Sequence, residues 1–203
     1  MEDKCRNGID ETIAYYDQNS ETFVKSTVNA DVSELYKPFE ELLNPGAKIL
    51  DLGCGSGRDS KYFFRHGYDV VAVDPSQAMC EQTRTYACVP TYKLKAEEMD
   101  FSNEFDAVWA CASLLHISRD MYELTFNRIM ESLKDGGIIY SSWKYGYHDR
   151  YQCGRTFTDM NEISLNEVIN NIPGLVLLKM WVTYDVRPGE HKVKWLNALM
   201  KKK

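Results

Sequence analysis

Ten consecutive residues, Ile49-Leu50-Asp51-Leu52-Gly53-Cys54-Gly55-Ser56-Gly57-Arg58, carry the clearest chemistry in the chain. Glycines at alternate positions let the backbone turn sharply and let a ligand come within van der Waals distance of the main chain. The spacing is G-x-G-x-G. It differs from the G-x-G-x-x-G that seats a pyrophosphate on a helix N-terminus, and no G-x-x-x-x-G-K-[ST] phosphate loop follows. Asp51, two residues before the first glycine, is wrong for a pyrophosphate and suited to a cationic amine. The apolar run Asp69-Val70-Val71-Ala72-Val73-Asp74 closes on a second acid, 17 residues beyond Gly57. A carboxylate there can accept both ribose hydroxyls of an adenosine. On spacing alone this suits NAD or another adenosyl cofactor; the glycine pattern with Asp51 favours a ligand with an ammonium and no pyrophosphate.

Strands must deliver both acids. Lys48–Leu52 is a short apolar run ending in glycines, and Asp69–Asp74 is β-branched and continuous, as a strand covered on both faces would be. Helices are expected at 59–66, with Gly67 as its C-cap, and at 76–86. Strands follow at 91–95 and 105–112. Met121, Leu124, Ile129 and Leu133 fall at helical spacing, with Gly136-Gly137 as the stop. Further strands are expected at 137–143, 175–186 and 193–200, with a helix around Leu165, Val168 and Ile169. Strand and helix alternating through 48–144 call for an α/β fold: a seven-stranded, mostly parallel sheet with helices on both faces and an antiparallel C-terminal strand. The expected organisation is a single domain over 1–203. It has an N-terminal helical lid (1–45), a cofactor-binding core (46–144), and an acceptor-side loop with C-terminal strands (145–203).

These residues resemble the class I S-adenosylmethionine-dependent methyltransferase family. Ile49–Gly57 is similar to its first motif, Asp74 to the acid of its second, and Ala96-Glu97 to the acidic position at the adenine amino group. Phe105–Ala112 is similar to its fourth-strand motif and Leu133-Lys134-Asp135-Gly136-Gly137 to its fifth. Five motifs in order make the match specific. Within the family, Gly53–Arg58 and the compact length look most like small-molecule enzymes of the tellurite-resistance, TehB-like branch, or the methyltransferase domain 11/25-like group. The resemblance implies a Rossmann-like methyltransferase fold. It implies S-adenosyl-L-methionine as cofactor, with S-adenosyl-L-homocysteine as product. It also implies roles: Asp51 organising the methionine ammonium, directly or through water, and Gly53, Cys54, Gly55 and Gly57 lining the methionine and ribose. Asp74 would hold the ribose diol. Pro75 and Met79 would flank the adenine, Ala96 and Glu97 its edge, with Cys111 near the cofactor. Tyr15 and Tyr16 resemble the family's lid, where an aromatic approaches the sulfonium.

Methyl transfer from a sulfonium needs alignment and desolvation, and a base only where the acceptor must lose a proton. His116, just beyond the fourth strand where such a sheet opens its site, is the candidate base; it could equally orient the following helix. After the fifth strand, Tyr147, Arg150 and Arg155 interleave aromatics with cations and suit an acceptor carrying a carboxylate or phosphate. Arg187, between the final strands, could reach over the same pocket.

With 24 Lys/Arg against 30 Asp/Glu the net charge is −6, which argues against gripping phosphate backbones. The place after the fourth strand holds Cys111-Ala112-Ser113-Leu114, without the proline clamp of base methylation, so nucleic acid is set aside as partner in favour of a small-molecule acceptor. Three of the cations, Lys201–Lys203, form a terminal run of solubilising character. The six cysteines (5, 54, 80, 88, 111, 153) show no C-x-x-C pair and read as reduced thiols, and no metal site is expected. No run of about 20 apolar residues is present, and no secretory signal is expected. The expectation is a cytoplasmic protein without membrane contact, of open oligomeric state. Two rivals share Asp51, Asp74 and the glycines: a sensor that binds the cofactor without transferring, and an NAD-type oxidoreductase. A methyltransferase acting on a macromolecule is the remaining alternative.

Overall fold

A computed structural model describes the backbone of residues 2–203 and the side chains from residue 8 onward, so the Cys5 side chain lies outside the described part. The strands β1 (Lys48–Leu52), β2 (Asp69–Asp74), β3 (Thr91–Lys93), β4 (Phe105–Ala110) and β5 (Leu133–Lys144) pair in parallel. Two further strands pair antiparallel, β8 (Leu175–Tyr184) with β9 (Lys194–Lys202), and β9 inserts between β5 and β8. The sheet order is β3-β2-β1-β4-β5-β9-β8.

Alternation of side chains along each strand supplies two apolar faces. Leu50, Val108 and Ala110 point into one core, closed by Phe126 and Ile129 of α6 (Tyr122–Ser132) and Leu165 of α7 (Glu162–Asn170). Ile49, Ala107 and Trp109 point into the other. That face is covered by Tyr36 and Phe39 of α3 (Ser33–Glu40) and Phe63 of α4 (Arg58–Arg65). Trp109 is fully buried there, its ring 4.0 Å from Tyr140 in a near-parallel stack. Burying one such side chain contributes about 1.5–3 kcal/mol, so the sheet centre, rather than its edges, anchors the site. The helix α5 (Gln77–Ala87) follows β2; α1 (Glu2–Gln18) and α2 (Ser20–Thr27) lie over the C-terminal ends of the parallel strands, where the cavity opens.

Three boundaries differ from expectation for local reasons. β4 stops at Ala110 because Ala112 turns through a left-handed conformation (φ 54°). Leu133 leaves α6 and opens β5, its side chain fully buried against the sheet, ahead of the glycines that were expected to end the helix. The stretch after β5 is a hairpin, β6 (Asp149–Gln152) against β7 (Arg155–Thr158). Its two turn residues, Cys153 (φ 51°) and Gly154 (φ 76°), both take positive φ, as a tight two-residue hairpin demands.

Candidate functional site

Where β1 ends, the chain passes through the glycine loop into α4. Gly53 and Gly55, both at positive φ, line a cavity of about 1020 Å³ that also receives the ends of β2, β4 and β5. A Cβ on Gly53 would meet the Ser113 Cβ at 2.3 Å, so the loop closes on the chain beyond β4 too tightly for any side chain. Gly57 has a different task. It is the left-handed N-cap of α4, a Cβ there would sit 3.0 Å from the Thr83 backbone of α5, and it does not line the cavity.

Asp74 lies on the cavity wall at the end of β2, and each of its oxygens takes one backbone amide. The Gly55 N–H donates to Oδ2 at 3.0 Å and the Ser76 N–H to Oδ1 at 2.9 Å. Burial pushes the Asp74 pKa up to about 6 against the pull of those amides. Each oxygen keeps a further lone pair for a ligand hydroxyl. Pro75, Met79, Ala96 and Glu97 continue the wall along this side, and Cys54 and Cys111 line it on the other. Burial, then the nearby Asp59 charge, pushes the Cys111 thiol up to about 12, which leaves it a packing group.

Asp51 is placed behind the loop. Its carboxylate accepts from the Ser60 hydroxyl of α4 and does not line the cavity. Burial and the neighbouring Asp59 hold its pKa well above the usual carboxylate range. Beside it, Asp59 accepts from the Arg58 fork (2.7 and 2.9 Å), the Tyr36 hydroxyl (2.6 Å) and the Trp109 indole (2.9 Å). Burial alone would raise its pKa; Arg58 and the other donors overcome that and hold it down.

The C-terminal half of the N-terminal helix is clamped across the cavity at two points. Past the middle of that helix Thr12 accepts from the Thr156 N–H of β7 at 3.0 Å. At its end Asp17 accepts from the Ser76 hydroxyl and the Ala78 N–H, joining Ser76 in capping α5. Between these anchors Tyr16 reaches the wall, its hydroxyl 2.9 Å from His116 Nε2. His116 Nδ1 lies 2.7 Å from the Thr156 carbonyl. A carbonyl only accepts, so Nδ1 carries the proton and Nε2 accepts from Tyr16. Burial, aided by the Arg155 and Lys144 charges, lowers the His116 pKa to about 4. Burial also raises that of Tyr16.

Of the acceptor-side candidates, Arg155 and Arg187 line the cavity, Arg187 in a fork with Asp185 at 3.0 and 2.6 Å. Arg150 is committed to Asp159 through two hydrogen bonds of 2.8 and 2.7 Å, and Tyr147 projects into solvent. Neither lines the cavity. Tyr15 stands behind the wall, its ring 4.2 Å under the Arg155 guanidinium. Sequence reasoning passed over Phe23, Arg58 and Ser113, and did not single out Lys144 within its aromatic and cationic stretch; all four line the cavity. Arg58 and Asp59 had a readable signal: a charged pair directly behind a glycine loop at a helix start. Phe23 and Ser113 had none, because only the fold brings them against the glycines. Among the described residues no cluster of three or more His, Cys, Asp or Glu is arranged to hold a metal, the five described cysteines are free, and no helix is long and apolar enough to cross a membrane.

Comparison with known proteins bears on the domain and the fold. Residues 49–137 match a family model described as a methyltransferase domain. An uncharacterised methyltransferase of Schizosaccharomyces pombe is 27% identical over 156 residues, covering 69% of this chain and 51% of that protein. The chain spans about half to three fifths of the length of such curated relatives. A Burkholderia thailandensis 1,6-didemethyltoxoflavin N1-methyltransferase, solved with 1,6-didemethyltoxoflavin and S-adenosylhomocysteine, superposes with a TM-score of 0.73 at 20% identity, over 94% of this chain and 84% of the other. A TehB-like S-adenosylmethionine-dependent methyltransferase from Corynebacterium glutamicum gives 0.70 at 20% identity, over 92% and 99%. The sheet is the one these structures share.

Proposed function

We propose, since residues 49–137 match a methyltransferase-domain model and the fold is that of S-adenosylmethionine-dependent methyltransferase structures, that this chain is a class I, S-adenosylmethionine-dependent enzyme that methylates a small-molecule acceptor. The observation that carries the reading is Asp74. It is a cavity-lining carboxylate at the end of β2, fixed by the amides of Gly55 and Ser76 and with one free lone pair on each oxygen. That is the acceptor geometry a ribose diol requires.

In this reading Gly53, Cys54 and Gly55 lie along the methionine and ribose of the cofactor, Pro75 and Met79 flank the adenine, and Ala96 and Glu97 stand at its edge. Cys111 and Tyr16 close the methionine side. When bound, S-adenosylmethionine supplies a methyl group already activated on sulfur, so transfer is an in-line displacement. The protein's part is then alignment and exclusion of water. The first helix does both, clamped by Thr12 on β7 and Asp17 on α5. His116 is neutral at pH 7 and takes a proton through Tyr16: the phenol oxygen receives it from the acceptor as the phenol's own proton moves to Nε2. A base this weak removes a proton only from a strong acid, and a hydroxyl that has just gained a methyl group is one. Asp51 acts at a distance, through the loop it braces from behind.

The small-molecule assignment is supported by the α1–α2 roof over the cavity and by the net charge of −6. Calorimetric titration with S-adenosylmethionine, S-adenosylhomocysteine and NAD tests the reading. Micromolar binding of the first two with none of NAD is expected. Preferential NAD binding would restore the oxidoreductase alternative. Cofactor binding without S-adenosylhomocysteine release across a panel of hydroxyl, thiol and amine acceptors would favour the sensor.

A further inference from the structure

On the acceptor side of the cavity two cations stand without a counter-charge. Lys144, at the end of β5, and Arg155, at the start of β7, both line it. Both lean on the ring of Phe157, Lys144 Nζ at 4.6 Å and Arg155 Cζ at 5.2 Å from its centroid. The carboxylates of this region are already taken, Asp159 by Arg150 and Asp185 by Arg187. Among the described residues no ion pair forms with Lys144 or Arg155. Glu190 lies exposed at the rim, near Arg187.

Two details show that these cations are positioned rather than merely solvated. The Arg155 guanidinium is held over Tyr15 at 4.2 Å, which fixes its plane, and its buried Nε–H has no acceptor. A buried donor on a charged group is costly to leave unpaired. Lys144 is half-buried, and its pKa is lowered first by burial and then by Arg150, Arg187 and Arg155. A flexible lysine free to leave for solvent would escape that repulsion; this one packs on an aromatic face that also carries an arginine. An oxyanion between the two would neutralise both and give the Arg155 fork a planar partner.

We propose that Lys144 and Arg155 form an anion subsite, and that the methyl acceptor is a small organic molecule whose carboxylate or phosphate is held there. His116 and Tyr16 adjoin this subsite: the His116 ring lies 5.0 Å from the Phe157 ring on which both cations lean, and the Arg155 guanidinium 5.9 Å from the Tyr16 ring. An acceptor anchored by its anion therefore presents its remaining atoms to the Tyr16–His116 pair. That the anion belongs to a methyl acceptor rests on the methyl-transfer reading. The subsite itself does not.

The test is calorimetric titration of inorganic phosphate, benzoate and the neutral isostere benzamide into the free and the S-adenosylhomocysteine-loaded protein at low ionic strength. Phosphate or benzoate should bind, weakening as salt is raised, while benzamide should not. The tighter of the two anions identifies the headgroup. Lys144→Met and Arg155→Met should each weaken anion binding about tenfold or more, with S-adenosylhomocysteine affinity within twofold of wild type as proof of an intact fold. Arg155→Lys should recover only part of the loss, because a lysine lacks the fork. Anion affinity unchanged in both methionine variants, benzamide binding as well as benzoate, or no binding of either anion to wild type would each overturn the subsite. If S-adenosylhomocysteine itself fails to bind, the methyl-transfer reading falls, and titration of the free protein still decides the subsite.

Discussion

Replacing Asp74 by asparagine keeps the shape of the side chain and changes what it can accept. In the folded protein the Gly55 and Ser76 amides each donate to one carboxylate oxygen, at 3.0 and 2.9 Å. An amide nitrogen at either position would face a backbone N–H, donor against donor. The variant therefore loses one backbone contact and, on the same side, one acceptor for a ribose hydroxyl. A hydrogen bond to a charged group is worth about 1.5–3 kcal/mol. At about 1.4 kcal/mol per tenfold, S-adenosylhomocysteine should bind roughly 10- to 150-fold more weakly to Asp74→Asn at pH 7.

The same carboxylate gives a second, independent readout. Its pKa in the free protein is about 6, and a proton on either oxygen blocks one acceptor. Wild-type affinity should be level above pH 7 and about tenfold weaker at pH 5 than at pH 8, and Asp74→Asn should lack that dependence. Stability moves the other way. A carboxyl whose folded pKa is raised stabilises the fold fully below its unfolded value, near 4, and loses that contribution as pH rises through 6. Acidification from pH 8 to 6 should thus weaken ligand binding without Asp74 lowering the melting temperature. Calorimetry at four pH values, with urea melts alongside, measures both. A variant within threefold of wild type at pH 7, or wild-type affinity undiminished at pH 5, would refute the ribose assignment.

Other substitutions probe the supports of the site. Asp59→Ala leaves the Arg58 guanidinium buried and unpaired and should cost about 3–5 kcal/mol in urea unfolding. Because the Asp59 pKa is lowered on folding, its stabilising contribution should be complete above about pH 4 and fade as pH falls further. Gly46→Ala, at φ 75° in open space, should cost roughly 1–2 kcal/mol, and Gly57→Ala, at φ 77° against the Thr83 backbone, distinctly more. In nitrogen-15 NMR, His116 should stay in the neutral Nδ1–H form down to pH 5, titrating near 4; a midpoint near 6.5 would contradict the burial and hydrogen bonding assigned to it.

The parallel half of the sheet was legible because its determinants are local. β1 and β2 are unbroken apolar runs that end in residues of special type, and β2 spans 69–74 in both readings. The hairpin at 149–158 was not legible. Its turn is Cys153-Gly154, and without the asparagine or aspartate that favours positive φ at the first turn position, nothing in the pattern separates it from a loop. Leu133 was placed in a helix because its spacing continues the helical stripe, but its burial against the sheet overrides periodicity at that one residue.

The site divides along the same line. Asp74, Gly53 and Gly55 stand on elements whose ends the sequence marks, and the cavity receives them. Asp51 and Gly57 belong to the same motif yet serve the loop from behind, one through Ser60 and one through Thr83, because a strand alternates and a turn has an inside and an outside. A motif names residues that travel together without saying which of them touch a ligand. The acceptor side is harder, since its cations are sorted by pairings that only the tertiary structure makes. Arg150 and Arg155 lie five residues apart in one hairpin, and one is spent on Asp159 while the other lines the cavity and, among the described residues, forms no ion pair. Counting charges along the chain treats them as equals. What distinguishes them is the carboxylate each can reach, so an unpaired cation in a cavity is more informative about a substrate than a basic sequence motif is.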